Sequence, residues 1–371
     1  MSDVLLSQFN QRLDAKARQR RTPVSAMFEI TPRCNLRCHF CYVALDPYQG
    51  PYLSTEQCLA VIDRLADAGV LFLGLTGGEI LSRRDFTTLY RHARGRGMLV
   101  SLLTNATMVS EEVAQLLRDE PPHEVEVSIY GADAEHYEAV TGVKGSFERF
   151  VRGIDRLQWA GVRLSLKHPI SNMTEDHVDA ISAWCKARGI RHRFDAVIEN
   201  RHDGGDQPSL YRIQPRRVNA IKDDIEVART GRKRALPMAS CAPVDEDPDA
   251  PEMLYRCSAG KGSLFVDARG LASHCIIDRD PAFPILEMPW DELWAAMGAW
   301  VTQPLPADAP CAGCGLRAGC DNCPARSRLA TGSPFLRDQY HCDITHTAFG
   351  YEPGESGRVR AAARPVAACA R

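Results

Sequence analysis

The sequence contains no run of eighteen uninterrupted apolar residues, so no stretch of it reads as a membrane-spanning helix. Its start, Met1-Ser2-Asp3-Val4-Leu5-Leu6, lacks the basic stretch and apolar core of a secretory signal. Both absences place the expected protein in the cytoplasm, away from a membrane. An excess of charge of either sign is missing too: 45 Lys and Arg against 47 Asp and Glu give a formal net charge of −2. Basic and acidic residues are interspersed, which argues against a nucleic-acid or polyanion surface. No internal repeat is present.

Cysteine, by contrast, is abundant, at 14 in 371 residues. A reducing compartment would not keep so many thiols paired as disulfides, so metal or cluster binding accounts for them better. Their distribution is uneven. Three lie between 34 and 41, eight between 241 and 342, and Cys58, Cys185 and Cys369 stand alone. A hydrophobic content of 44% supports a substantial core, and the length suits two domains.

Strand-like and helix-like segments alternate from Pro23 onward. The expected strands are 24–31, 70–75, 98–104, 124–129, 162–169 and 191–198. Ser54 with Gln57 three residues on makes a capping box before Leu59, Ile62, Leu65 and Ala66, and Thr174 opens a helix presenting Val178, Ile181 and Cys185. Six such alternations predict an α/β fold with a parallel sheet and right-handed crossovers, open or curled toward a barrel. Ligands in such folds sit at the carboxyl ends of the strands.

The expected layout has an N-terminal helix and tail over 1–22, whose basic run 16–21 is a solvated end. An α/β core follows over 23–205, then a linker helix over 206–240, a cysteine-rich domain over 241–345 and a mobile tail over 346–371.

Directly after the first strand, Cys34-Asn35-Leu36-Arg37-Cys38-His39-Phe40-Cys41 presents three thiols with gaps of three and two residues. Three soft ligands that close can hold three corners of an iron–sulfur cube and leave one iron open. Structural zinc would need a fourth ligand, and His39 is awkwardly wedged for that role. Downstream, Cys257 and Cys275 precede Cys311-x-x-Cys314, then Cys320, Cys323 and Cys342, with Cys241 upstream. Read alone, the pairs 311/314 and 320/323 also suit a zinc-ribbon knuckle, and a non-catalytic cluster or zinc scaffold is the competing function class. Cys58 and Cys185 fall on apolar helical stripes, where a thiol is usually a small core residue. Both, with Asp278, are weak catalytic candidates, and His168, Asp195 and Glu199 are further polar residues near strand ends.

The spacing at Cys34, Cys38 and Cys41, with Phe40 before the last cysteine, resembles the signature of the radical S-adenosylmethionine (SAM) superfamily. The later cysteines resemble its SPASM subfamily, whose members modify peptides and proteins. Cys320 and Cys323 depart from it, being separated by two residues rather than three. The resemblance implies a partial (β/α)6 barrel of TIM type followed by a SPASM domain. It implies a SAM-binding 4Fe-4S cluster on Cys34, Cys38 and Cys41. SAM contacts would come from Gly77, Gly78, Glu79, Thr104, Asn105, Ser128 and, less directly, Arg149.

It also implies two auxiliary 4Fe-4S clusters. Cys257, Cys275 and Cys323 belong to the first, with Cys241 its candidate fourth ligand. Cys311, Cys314, Cys320 and Cys342 belong to the second. The implied activity is reductive SAM cleavage to a 5′-deoxyadenosyl radical and modification of a ribosomally made peptide by C–C or C–S cross-linking, dehydrogenation or epimerisation. Its electron donor would be a flavodoxin or ferredoxin. Only some twenty residues precede the first strand, so either a separate peptide-recognition protein or direct binding of the core peptide is expected. Sulfatase-maturing relatives carry aspartate after the cysteine matching Cys275; Ile276 stands there, which argues against that oxidase activity.

Overall fold

The computed structural model describes residues 3–43, 51–234, 253–320 and 323–354. In chain order the elements are α1 (Asp3–Arg20), β1 (Ser25–Thr31), α2 (Thr55–Asp67), β2 (Phe72–Gly77), α3 (Phe86–Gly95), β3 (Leu99–Thr104), α4 (Glu111–Asp119) and β4 (Glu124–Ser128). Then come α5 (Ala134–Thr141), α6 (Ser146–Trp159), β5 (Leu164–Pro169), α7 (Val178–Ala187), β6 (Arg191–Asp195) and α8 (Pro215–Thr230). The chain continues through β7 (Ser263–Val266), β8 (Leu271–Ser273), β9 (Phe283–Pro284), α9 (Trp290–Val301), α10 (Pro324–Thr331) and α11 (Gln339–Ala348).

All six expected strands form, and they pair in parallel in sequence order from β1 to β6. The alternation of side chains explains why. Ala26, Phe28 and Ile30 of β1, Leu73 and Leu75 of β2, Val125 and Val127 of β4 and Leu166 of β5 share one face and one hydrophobic core with the helices. Residues between them, such as Glu29, Glu126 and Lys167, point to the other face.

The sheet does not close into a barrel. Its order is β6-β5-β4-β3-β2-β1-β7-β8-β9, so the edge of β1 that closure would join to β6 is taken by β7, which pairs with it in parallel from Ser25↔Ser263 to Phe28↔Val266.

Residues up to Tyr211 together with Cys257–Val301 form one compact unit, and Arg212–Arg256 with Thr302–Arg371 form a second. The sequence layout begins a separate domain at 241. The structure instead gives 257–301 to the first unit, because β7 extends its sheet. In the second unit α8 and α11 are joined by Asn219 Nδ2 donating to the Ile344 carbonyl (2.8 Å), and Tyr340 of α11 donates to the carbonyl of Ile213, just before α8 (2.9 Å).

Local signals hold to different degrees. At α2 the Ser54 hydroxyl accepts from Gln57 N while the Gln57 side chain accepts from Ser54 N, a complete capping box. Thr174 does not cap α7: a short 3₁₀ turn, Glu175–His177, intervenes. The basic run at the end of α1 is not wholly solvated, since Arg21 donates to the Trp294 carbonyl (2.7 Å) and accepts through its own carbonyl from the indole N–H (2.6 Å). Nor does a tail begin at 346: α11 continues to Ala348, and His346 is buried.

Candidate functional site

The loop after β1 carries Cys34, Cys38 and Cys41, and the loop after β2 is strapped to it. Gly78 N donates to Thr31 O (2.8 Å) and Glu79 N to Arg33 O (2.7 Å). A Cβ on Gly77 would stand 2.1 Å from Thr31 O, at a φ of +155°; one on Gly78 would stand 2.4 Å from Arg33 O and 2.5 Å from Pro32 O. Both positions therefore exclude a side chain because backbone crosses backbone there. On its other flank the cysteine loop is held by Arg37 N and His39 N donating to the Thr141 and Val140 carbonyls at the end of α5. Phe40 anchors it, packing with Val140 and Ile198 and meeting the rings of Tyr130 (5.9 Å) and Tyr211 (6.2 Å).

Burial pushes all three thiols above their ordinary range, Cys41 to about 11, and negative charge at neighbouring thiols pushes Cys38 and Cys41 further up. The thiols thus share one neighbourhood of low polarity. A metal centre inverts that balance, because a coordinating thiol is deprotonated outright. Leu36 N and Asn105 Nδ2 point at Cys34 Sγ at 3.4 and 3.8 Å. The donor set, three thiols with amide donors beside one of them, fits a cluster.

Glu79 is fully buried, and burial raises its carboxyl despite three donors: Thr104 Oγ1 (2.6 Å), Asn105 N (2.7 Å) and Leu81 N (3.0 Å). Two carboxylate oxygens offer roughly four acceptor positions, so one is left on Oε2. Asn105 extends the network, donating to Asn35 Oδ1 (3.0 Å) and accepting from Thr107. Thr104 and Asn105 therefore join the end of β3 to both Glu79 and the cysteine loop. Ser128, at the end of β4, is hydrogen-bonded to Tyr130, whose hydroxyl burial keeps protonated. Arg149, on α6, is half-buried, and its charge acts on the Tyr137 hydroxyl along with those of Cys38, Glu79 and Cys34.

Sequence reasoning missed several residues here. Tyr137 is buried, and its hydroxyl has no hydrogen-bond partner. Glu29 of β1 is 1% exposed and pairs with Arg279 (2.7 Å), whose guanidinium lies 4.5 Å from the Phe265 ring centroid. The signal for Glu29 was a lone carboxylate inside the apolar strand SAMFEIT.

The later cysteines divide between the units. Cys257 is exposed and Cys275 half-buried in the first unit, Cys275 Sγ accepting from Ile277 N (3.3 Å). Cys311, Cys314, Cys320, Cys323 and Cys342 belong to the second. Cys241 lies outside the described residues. Burial raises the thiols of Cys311 and Cys342, Cys342 to about 12, and charge on Cys314 and Cys320 raises both further. Those four side chains therefore share one environment. Among the described residues, no three His, Cys, Asp or Glu side chains stand close enough to hold a single metal ion.

Cys58 and Cys185 are fully buried in the helix-side core, and burial raises their thiols to about 11 and about 12. Both are placed as packing residues, Cys58 accepting from Arg83 Nη1 at 3.3 Å. Asp278 is fully buried beside His274 (3.5 Å). His168 is on the core face too, donating from Nδ1 to the Ile129 carbonyl (2.9 Å). Lys167 and Asp195 pair with each other on the opposite face (3.1 Å). Among the described residues no helix is long and apolar enough to cross a membrane.

Residues 28–185 match the family model described as the Radical SAM superfamily. Over 337 residues the chain is 27% identical to a protein of Methanosarcina barkeri named AdoMet-dependent heme synthase, covering 85% of this chain and 95% of that one. It is also 27% identical over 350 residues to the mycofactocin maturase MftC of Mycobacterium ulcerans, covering 89% and 88%. Among solved structures, Streptococcus suis SuiB bound to precursor peptide SuiA aligns with a TM-score of 0.67 at 15% identity over 92% of this chain and 82% of that one. Native anSMEcpe with bound AdoMet aligns at 0.62 and 16% identity over 89% and 96%. At such identities these likenesses establish a shared fold, an open parallel sheet with its helices and an additional C-terminal unit.

Proposed function

The chain carries a radical SAM domain and is a radical SAM enzyme; from that premise we propose that it binds SAM at the loops after β1, β2 and β3 and modifies a ribosomally synthesised peptide. The observation that carries the SAM site is Glu79. It is a buried carboxylate with one acceptor position left, tied through Thr104 and Asn105 to the loop of Cys34, Cys38 and Cys41.

In this reading the three thiols hold a 4Fe-4S cluster, and Glu79 accepts from the ammonium of SAM. Gly77 and Gly78 let the two loops stack, while Ser128 and Arg149 line the nucleotide side. Such a cluster, reduced and with SAM bound, would supply a carbon radical able to take a hydrogen atom from an unactivated C–H bond. The protein's part is to orient the groups and exclude water, and the buried rings of Phe40 and Tyr137, with the half-buried ring of Tyr130, would provide that exclusion. The later cysteines would serve two auxiliary clusters, the second of them on Cys311, Cys314, Cys320 and Cys342.

The peptide assignment is supported by the relative named mycofactocin maturase, similar over most of both chains. A second reading, action on a porphyrin, is favoured by the relative named heme synthase, 95% of which is covered. Anaerobic reconstitution tests the enzyme itself. About twelve irons per chain, from three four-iron clusters, with SAM cleavage is the expected result; bound zinc without SAM turnover would sink it. Mass spectrometry then separates the substrates. A co-encoded peptide that loses two hydrogens, or takes up solvent deuterium at unchanged mass, supports the first reading, and conversion of a porphyrin with the peptide untouched supports the second.

A further inference from the structure

The helix α11 of the second unit buries the wrong kind of stripe. Asp338, His341, Cys342, Thr345 and His346 recur at the spacing of a core-facing helical face, and their exposures are 4%, 1%, 8%, 4% and 1%. Such a face is normally apolar, since burying polar groups costs free energy unless each finds a partner. Two of these groups are directed at sulfur. Thr345 Oγ1 donates to Cys320 Sγ at 3.2 Å, and His346 Nε2 lies 3.6 Å from Cys342 Sγ. A third, His341, engages Asp338 through Nδ1, while its buried Nε2 has no hydrogen-bond partner. The stripe is therefore arranged around sulfur and a polar neighbour rather than around a hydrophobic core.

We propose that Thr345 and His346 are positioning residues for a cluster on Cys311, Cys314, Cys320 and Cys342, setting its reduction potential through hydrogen bonds to two of its four sulfur ligands. This deepens the proposed function and rests on its assignment of the second auxiliary cluster. A thiolate has only acceptor lone pairs, so both contacts must place their hydrogen on the helix side: the Thr345 hydroxyl donates, and His346 carries its proton on Nε2. When the cluster takes one electron, its net charge becomes more negative by one, and donors aimed at its sulfurs favour that reduced form. The pair of bonds from one helix therefore raises the midpoint potential.

The test uses the full chain with Cys34, Cys38 and Cys41 replaced by Ala, so that only downstream clusters contribute. Cys320→Ala identifies the signal of this cluster in a potentiometric titration read by electron paramagnetic resonance, and its iron count should fall by about four. Thr345→Val and His346→Leu together should lower the midpoint by an amount equal to about a tenfold change in the reduction equilibrium, about 59 mV for one electron. Thr345→Ser and His346→Gln, which keep a donor, should leave it near wild type. Loss of iron in His346→Leu that is restored in His346→Gln also supports the role. An unchanged midpoint in Thr345→Val and His346→Leu, with the irons retained, overturns the inference alone. Iron that does not fall in Cys320→Ala overturns it together with the cluster assignment beneath it.

Discussion

Replacing Gly78 by Ala tests whether the two loops of the candidate SAM site are joined as described. The new Cβ would lie 2.4 Å from Arg33 O, 2.5 Å from Pro32 O and 2.6 Å from Arg33 C. All three are backbone atoms, so no side chain can swing aside, and the strap must open by more than about half an ångström to reach tolerable contact. Overpacking of this kind costs about 1–3 kcal/mol. Losing the bonds from Gly78 N to Thr31 O and from Glu79 N to Arg33 O adds about 1 kcal/mol each. The cost falls beside Cys34, so Gly78→Ala should melt several degrees lower and lose the irons of the cluster proposed on Cys34, Cys38 and Cys41 while keeping any held by the later cysteines. Gly95→Ala is the control of opposite sign: at the end of α3 its Cβ meets nothing within 4 Å, so restricting the unfolded chain should stabilise by about 0.5 kcal/mol. Thermal melts of the apoprotein, with iron counts after reconstitution, read both. Melting within a degree of wild type with full iron in Gly78→Ala would refute the strapped-loop geometry.

Thr104→Val removes the hydroxyl that donates to Glu79 (2.6 Å) and accepts from Ala106 N (3.0 Å). It should cost about 2 kcal/mol in denaturant titrations and weaken SAM binding measured by calorimetry, with Thr104→Ser near wild type. Burial holds His168 down to about 4, below an unfolded value near 6.5, so its contribution is fully present above pH 6.5 and is lost as pH falls toward 4. The loss reaches about 3 kcal/mol at most, and unfolding midpoints between pH 7 and pH 4.5 should fall more steeply in wild type than in His168→Leu. Cys58→Ala and Cys185→Ala should each lose about 1 kcal/mol of stability yet keep product formation; abolished turnover in either fully folded variant would restore it as a hydrogen-atom donor. Arg279→Met should destabilise by about 3–5 kcal/mol at pH 7, because it strands the buried Glu29 carboxylate, and Glu29→Gln with Arg279→Met should recover part of that.

The strands of the first unit were legible because parallel strands covered by helices need an apolar residue at every second position, and segments such as Ala26-Met27-Phe28-Glu29-Ile30 supply it. The cysteine loop was legible because its ligands are adjacent in sequence. What could not be read was pairing that depends on distant segments. Four residues, Ser263-Leu264-Phe265-Val266, look too short to matter, yet they occupy the free edge of β1 and keep the sheet open. The glycine pair was expected to contact SAM, but the sequence does not show that the backbone of residues 31–33 crosses it. Arg279 and Glu29 are 250 residues apart, and no local pattern announces such a pair.

The face of the sheet away from the helices explains where selectivity for a substrate can reside. On β4 to β6 it carries charge in matched rungs: Arg191 with Glu124 (3.1 Å), Arg193 with Glu126 (2.7 Å) and Lys167 with Asp195 (3.1 Å). The first two rungs reach from β6 to β4 across the intervening β5. Ser165, which is in register with Glu126 and Arg191, is small enough to be spanned. A face so charged stays hydrated, which an open sheet permits and a side-chain-filled barrel would not. Because each charge is already opposed by another, these rungs offer a substrate little net field. Discrimination must come instead from groups with unused hydrogen-bonding capacity: Glu29 within β1, which retains an oxygen without a partner, Tyr137 of α5, whose hydroxyl has none, and Glu79 after β2, with a spare acceptor position.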